Sequence, residues 1–432
     1  MAAADSVVMG ASRTRSRLWV LALVTTGTLI NYLDRTVISV AAPLLSEDLG
    51  LHAGLMGIAL SAFGWTYALA QIPGGILLDR IGVRLTYFLS ITLWSLCTAV
   101  TGLAAGLASL VAGRLALGIA EAPAFPCNSR VLSVWFPQHE RARATGTYCV
   151  GQYFGLAFLS PVLFWMSAEL GWRWLFGLVG VAGVLFGLSW LALYRDPHVS
   201  SANQAELDYI AAGGGLGDDA GATRFDWRNV SFLLRQRQVL GASIGQFASN
   251  STLVFFLTWF PTYLATERHM EYIKVGFFAV LPFLGATIGV LVGGLLSDSL
   301  LRRTGSANLA RKLPIVSGLA LASTIVVANF VDSNALVVTV MSIAFFGQGM
   351  CNLGWTLITD VAPKKLVGLT GGVFNLCANI AGIVTPLVVG FVVAATGSFV
   401  WALVFIAFVA MLGVLSYVFV LGDVRRVEFE GA

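Results

Sequence analysis

Charge is scarce in this chain. Asp, Glu, Lys and Arg make up 11% of its 432 residues, where soluble domains carry about 25%. So few charges cannot cover a soluble surface of this size. Cysteine is scarce too. Cys97, Cys127, Cys149, Cys351 and Cys377 fall in predicted helices, with neither metal-type spacing nor a paired-loop pattern, which predicts free, space-filling thiols. The four histidines, His52, His139, His198 and His269, lie in loops or at helix ends. A histidine proton relay inside the apolar segments is thereby excluded, as is the oriented base or metal cluster of an intramembrane enzyme. No filter motif or charge ring speaks for an ion channel. The sequence predicts no enzyme, no cofactor and no metal.

What the chain has in abundance is apolar sequence, 57% by the broad count. Runs of about 20 apolar residues recur along its length, each long enough to cross a hydrocarbon core of about 30 Å as a helix. Lipid offers backbone groups no other partner, so an all-helical membrane protein is expected. Twelve spans are predicted, at 18–45, 52–78, 84–104, 106–130, 142–166, 172–194, 238–264, 274–299, 312–331, 335–359, 366–394 and 398–421.

A net charge of +4 raises the question of nucleic acid, and the placement of the basic residues answers it. Of the 26 Lys and Arg, Arg173, Arg268 and Lys274 fall on one side, and Arg35 and Arg114 fall inside spans. All the others lie before the first span or after the second, fourth, sixth, eighth, tenth and twelfth. The positive-inside rule then puts both termini in the cytoplasm and makes the span count even. Arginines before a first apolar run also suggest a signal peptide, but the run continues through Asn31 to Arg35 without a cleavage site, so it is taken as the first span.

The spans form two groups of six. Residues 1–194 are expected to be one bundle and 238–432 the other, with a polar linker at 195–237. Gly213, Gly214, Gly215, Asp218 and Asp219 lie in that linker between short interfacial helices. GGILLDRIGVR at Gly74–Arg84 is echoed by GGLLSDSLLRR at Gly293–Arg303, which marks the halves as copies of one unit. Duplicated parallel halves around a midplane site can rock and expose it to each side in turn.

Asp34, Arg35, Arg114 and Glu121 lie inside predicted spans. A charge at the bilayer centre costs about 2.5–3.5 kcal/mol on insertion scales, so four in one half are not filler. Arg114, Gly118 and Glu121 stand at i, i+4 and i+7, which sets both charges on one face of the fourth span with a glycine between them. Asp34 and Arg35 sit past the middle of the first span, one turn beyond Asn31. If these spans line one cavity, both arginines face a substrate carboxylate, which a guanidinium fork binds by two bonds without losing its charge. The alternative is two buried ion pairs that only lock helices, although such pairs stabilise poorly beside apolar residues of like volume. Asp79, Arg84, Asp298 and Arg303 lie at helix ends and are expected to gate or latch the bundles. Further polar stripes join Tyr148 to Gln152, Gln246 to Asn250, Asn375 to Asn379, and Gln348 to Asn352 and Trp355. Stripes of this kind line cavities or hold helices together.

The repeated glycines with Asp79, Arg80 and Arg84 resemble the loop signature of the major facilitator superfamily. Within it, five stretches resemble the anion:cation symporter family. They are NYLDR at 31–35, SAFGWTYALAQIPGG at 61–75, GRLALGIAEAPAFP at 113–126, WFPQHERARATG at 135–146 and GWTLITDVAPKKLVGLTGGVFN at 354–375. The likeness covers nearly the whole chain and is most specific in the first half. It points to the bacterial sugar-acid branch of galactonate, glucarate/galactarate and hexuronate proton symporters. There are two departures. Ser299 stands where the first loop motif has Arg80, and Ala142 where many relatives place Gly. Neither touches the expected site.

The resemblance implies proton-coupled import of an organic anion by alternating access, with a sugar acid (aldonate, aldarate or uronate) as substrate. It implies substrate contacts at Tyr32, Arg35, Tyr67, Arg114, Gln152, Trp355 and Asn375, with Asp34 and Glu121 carrying protons. Gln246, Asn250, Gln348, Asn352 and Asn379 remain lesser candidates. A monomer in a bacterial inner membrane is expected, its partners being the carboxylate, protons and lipid, with no nucleic acid. The alternative is a facilitator or antiporter of the same fold, or a proton symporter for another carboxylate such as an aromatic acid.

Overall fold

The computed structural model describes residues 13–215, 227–363 and 366–428. Asp218 and Asp219, named above, and the basic Arg224, Lys364 and Lys365 lie outside the described residues. Every regular element among the described residues is a helix. Among the described residues, ten helices are long and apolar enough to cross a membrane. One of these, Ala53–Thr101, has 49 residues and would reach about 73 Å at 1.5 Å per residue, more than two bilayer cores. Gly82 breaks it in two with φ 76° and ψ 169°, a backbone only glycine adopts readily. It therefore holds the second and third spans. The first span, Ser16–Leu49, is more polar and completes the twelve.

The other spans follow the expected order, with local differences. The fourth is Leu107–Glu121 continued by Ala124–Trp135, so it runs five residues beyond the expected end and takes Arg130 into its last turns. The fifth is Gln138–Leu170 and the sixth Trp172–Leu193. The seventh is Arg237–Thr258, the eighth Tyr272–Thr304 and the ninth Ala307–Ser323. The tenth is Asn334–Met350 resumed at Gly354–Val361. The eleventh is Val367–Thr396 and the twelfth Val400–Leu415. Breaks in the fourth and tenth spans occupy matching places in the two halves. One follows Glu121 directly and the other precedes Trp355, so irregular backbone sits where candidate residues cluster, as membrane proteins allow only beside protein or a cavity.

The second span packs against the eleventh, and the fifth against the eighth. These contacts are tight at the end away from the basic residues. A Cβ on Gly57 would lie 2.7 Å from the Pro386 carbonyl, and one on Gly390 would lie 2.8 Å from Gly57 Cα. The Ser39 hydroxyl donates to the Thr258 carbonyl at 2.8 Å. The Tyr272 hydroxyl reaches the Val40 carbonyl at 2.6 Å and Ser167 Oγ at 2.9 Å. Toward the basic end the same spans are apart. A Cβ on Gly75, Gly146, Gly294, Gly368, Gly371 or Gly372 would meet nothing within 4 Å. The halves are thus closed at one end and splayed at the basic end.

That closure should be breakable at its glycine crossing. Gly390→Val overpacks it, at about 1–3 kcal/mol, enough to shift an equilibrium about tenfold. A cysteine placed at the buried Met56 should then be labelled about tenfold faster from that side. An unchanged rate would show that the crossing does not hold the end shut.

Two short helices, Gln204–Ala212 and Trp227–Arg235, lie between the halves in sequence. The first is docked on the N-terminal half. The buried Glu206 carboxylate accepts from the Thr14 hydroxyl at 2.5 Å, the Ser16 amide at 3.0 Å, the Arg17 amide at 3.3 Å and the Arg17 guanidinium at 3.0 Å. Arg17 also pairs with Glu140, which accepts from the Tyr209 hydroxyl at 2.6 Å. Burial alone would raise the Glu206 pKa, yet these donors together hold it below the ordinary carboxylate range. A depressed folded pKa stabilises above the unfolded value of about 4.3 and is lost as pH falls through the folded value. Glu206→Ala strands the donors and should destabilise this docking by about 1–3 kcal/mol. Amide exchange across 204–212 should speed up in the variant, and in the parent only below about pH 4. Unchanged exchange in the variant would contradict the assignment.

Candidate functional site

The first and fourth spans meet beside the break at Ala122 and Pro123, and there the four intramembrane charges come together. Arg35 pairs with Glu121 through Nε at 2.5 Å and through Nη2 as well. Glu121 is fully buried and its second oxygen, Oε2, is unpartnered, with Asn31 facing it. Arg35 stands among four rings, its Cζ lying 5.3 Å from Tyr32, 4.9 Å from Phe63, 4.8 Å from Tyr67 and 5.9 Å from Phe125. Desolvated cation–ring contacts of this kind stabilise by about 2 kcal/mol. They hold the guanidinium in addition to its ion pair.

Arg114 is arranged differently. It is 4% exposed, and among the described residues no carboxylate lies within ion-pair distance of it. Its Nε has no hydrogen-bond partner, and its guanidinium lies 5.1 Å from the Phe63 ring. The Phe63 ring thus lies close to both arginines. Asp34 turns away from both. Its Oδ2 accepts from the Trp94 indole at 2.9 Å, while Oδ1 is unpartnered beside Thr98. Of the two ion pairs in the helix-locking alternative, only Arg35 with Glu121 forms, leaving one arginine and one acid unpaired.

The remaining expected contacts are spread around these charges. Tyr32 and Tyr67 are buried against Arg35, and Gln152 is buried on the fifth span next to Tyr153. Tyr153 reaches toward the Gln348 and Asn352 amides of the other half and meets Phe345 edge-on at 5.9 Å. Phe345 stacks on Phe256 at 4.1 Å, so an aromatic layer spans the halves on the closed side. Trp355 is 42% exposed, and it stands edge-on to Phe374 at 5.0 Å beside the half-buried Asn375. Both lie toward the splayed end. Among the lesser candidates, Asn250 donates to the Ala378 carbonyl at 2.5 Å, a helix-holding contact.

The four expected gating residues form no ion pairs with one another. Arg84 donates to the Leu191 carbonyl at 3.2 and 2.6 Å, which ties the third span to the sixth. Asp79, Asp298 and Arg303 are exposed at the splayed end. A half-open cavity of about 540 Å³ lies at the closed end between Ala42, Met56, Trp259 and Val393. It touches none of the four charges.

Phe63, Phe125, Trp94 and Tyr153 escaped the sequence reading. Helical spacing relates residues on one helix, and these act across helices. SAFGWTY at 61–67 did hold a signal, since Phe63 and Tyr67 at i, i+4 share a face and their rings stack at 5.1 Å.

Comparison with known proteins agrees with this architecture. The D-galactonate transporter of Escherichia coli is 44% identical over 98% of this chain and 100% of its own length. The probable galactarate/D-glucarate transporter GudP of Escherichia coli is 41% identical over 97% of this chain and 96% of its length. The hexuronate transporter of Bacillus subtilis is 32% identical over 90% and 92%. Among solved structures, a bacterial homolog of the human lysosomal transporter Spinster, in an inward-facing and occupied conformation, superposes with TM-score 0.73. It shares 19% identity over 94% of this chain and 97% of that one, and so speaks for the fold. The Major Facilitator Superfamily model matches residues 24–386. The chain is a twelve-span membrane transporter belonging to the Major Facilitator Superfamily.

Proposed function

We propose that this protein imports a sugar acid together with protons by alternating access. The carrying observation is the asymmetry among four buried charges. Arg114 has no carboxylate partner, whereas Arg35 is occupied by Glu121. A substrate carboxylate would engage Arg114 first. Protonation of Glu121 at its unpartnered Oε2 would then release Arg35 to take the same anion, so that proton and substrate binding favour each other. Asp34, neutral or charged, keeps its bond from Trp94 and is the second proton carrier. The names of the relatives support aldonates, aldarates and uronates as substrates, and buried hydroxyl and amide groups at Tyr32, Tyr67 and Gln152 suit sugar hydroxyls. Trp355 and Asn375 would cover the substrate's other side.

By the positive-inside rule the splayed, basic end is cytoplasmic, which puts both termini there and makes this arrangement inward-open. Asp79, Arg84, Asp298 and Arg303 would act as latches between bundles when that end closes. The N-terminal bundle through residue 194, the linker at 195–237 and the C-terminal bundle from 238 are the moving parts of a monomer in a bacterial inner membrane.

Purified protein heated with aldonates, aldarates, uronates and aromatic acids tests the substrate class. At least one sugar acid should raise the unfolding temperature, since saturation at 100 times Kd stabilises by about 2.7 kcal/mol. Stabilisation by aromatic acids alone would favour the alternative carboxylate class.

A further inference from the structure

We infer that a buried polar seam between the first, third and fourth spans carries protons between the two acids and the basic end, separate from the substrate's route. The inference rests on the proton-coupled function proposed above. Asp34 is 1% exposed and faces Trp94 and Thr98 of the third span. That span turns Leu85, Leu93 and Val100 outward, so it lies on the outside of its bundle. Asp34 therefore points into the bundle, away from the gap between the halves.

From the acids a line of polar groups leads toward the basic end. Asn31 faces Glu121. One turn earlier on the first span, Thr28 accepts from Asn128 Nδ2 at 3.0 Å, and the Tyr87 hydroxyl reaches both. The Tyr87 ring stands edge-on to Trp190 at 4.5 Å, and Trp190 stacks on Tyr194 at 4.4 Å. The Tyr194 hydroxyl donates to Asp196 at 3.1 Å. Trp135 faces Tyr194 and lines a cavity of about 260 Å³ at the basic end, shared with Arg15 and Arg195.

Along this line Asp34 Oδ1, Thr98 Oγ1, both side-chain polar atoms of Asn31, Glu121 Oε2, Asn128 Oδ1, the Tyr87 hydroxyl and the Trp135 indole nitrogen are all buried. None makes a hydrogen bond of normal geometry, although Thr98 lies against Asp34, Asn31 against Glu121, Asn128 and Thr28 against Tyr87, and Trp135 against Tyr194 in looser contacts. In folded proteins about 90% or more of such groups are partnered by protein or ordered water. Polar sites with several unmet groups hold water, and a buried water makes about three bonds. In the other half, among the described residues, the unpartnered groups are Ser243, Thr252, Thr262, Gln348 and Thr385, with no carboxylate among them.

Each hop along the seam makes one O–H bond and breaks another. A proton leaving Glu121 Oε2 passes to water, and the ionised carboxylate regains Arg35. Arg35 and Arg114 repel the departing proton, while Asp196 draws it at the mouth.

Proteoliposome transport tests the seam. Thr28→Val with Asn128→Leu, and separately Tyr87→Phe, remove its polar atoms at nearly constant shape. Counterflow exchange needs no proton to leave, so it should stay within about twofold of the parent in both variants. Uptake driven by a pH gradient should fall by about tenfold or more in the double variant and severalfold in Tyr87→Phe. Gradient-driven uptake at parental rate, with counterflow intact, overturns the seam. Should the double variant lose counterflow, Tyr87→Phe decides by the same criterion. A parent that moves no protons with substrate removes the coupling itself, and the seam falls with it, a result distinct from a coupled parent with unaffected variants.

Discussion

Arg114→Ala should lower affinity for the transported anion by about 30-fold or more. Truncating one partner of a buried, hydrogen-bonded charge pair costs about 2–5 kcal/mol, and each 1.4 kcal/mol is tenfold. Arg114 is the site's uncommitted cation, 4% exposed with Nε unpartnered. Arg35 can stand in for it only once Glu121 is protonated, because the carboxylate otherwise holds it. Lysine restores the charge and not the planar fork, so Arg114→Lys should fall between alanine and parent. Isothermal titration against the best sugar acid of the thermal screen measures this. Near-parental affinity in Arg114→Ala would place the anion site elsewhere. The protein itself should tolerate the change, since among the described residues Arg114 anchors no ion pair and its removal strands no carboxylate.

Asp34→Asn should separate transport from its driving force. The substitution keeps an oxygen for the Trp94 indole, which now donates to Asp34 Oδ2 at 2.9 Å, so the packing of the first and third spans survives. What it should lose is the proposed exchangeable proton. A pH difference of one unit supplies about 1.4 kcal/mol per coupled proton, or about a tenfold concentration ratio. Accumulation across such a gradient should therefore drop about tenfold per lost proton, while counterflow of labelled substrate continues. Glu121→Gln should behave differently. It weakens the hold on Arg35 and so should alter substrate affinity as well as coupling, because of the two acids Glu121 is the one bonded to an arginine. Equal phenotypes for the two variants would contradict the division of labour between the acids.

Much of this was legible in the sequence, and the parts that were not share one cause. Apolar runs, alternating basic loops and the GGILLDRIGVR repeat marked the spans and the duplication, since these depend on the chain's relation to lipid and to itself. Arg114 and Glu121 could be set on one face because both belong to one helix. Partner choice depends on how helices are rotated against each other. Hence Asp34 bonds Trp94 instead of an arginine, and the Phe63 ring meets both guanidiniums. The fourth span outran its expected end because Arg130 lies within a helix that continues to Trp135. The break after Glu121 was signalled only by Ala122 and Pro123, a pair that membrane helices often absorb without breaking.

The account stands or falls on whether substrate entry moves protons through Asp34. Proteoliposomes with a pH-sensitive dye inside and no imposed gradient measure it when sugar acid is added outside. The interior of vesicles bearing the parent should acidify as substrate enters. Vesicles bearing Asp34→Asn should move markedly fewer protons for each substrate that enters. Substrate entry without acidification in the parent, or equal acidification per substrate in both, would contradict the account.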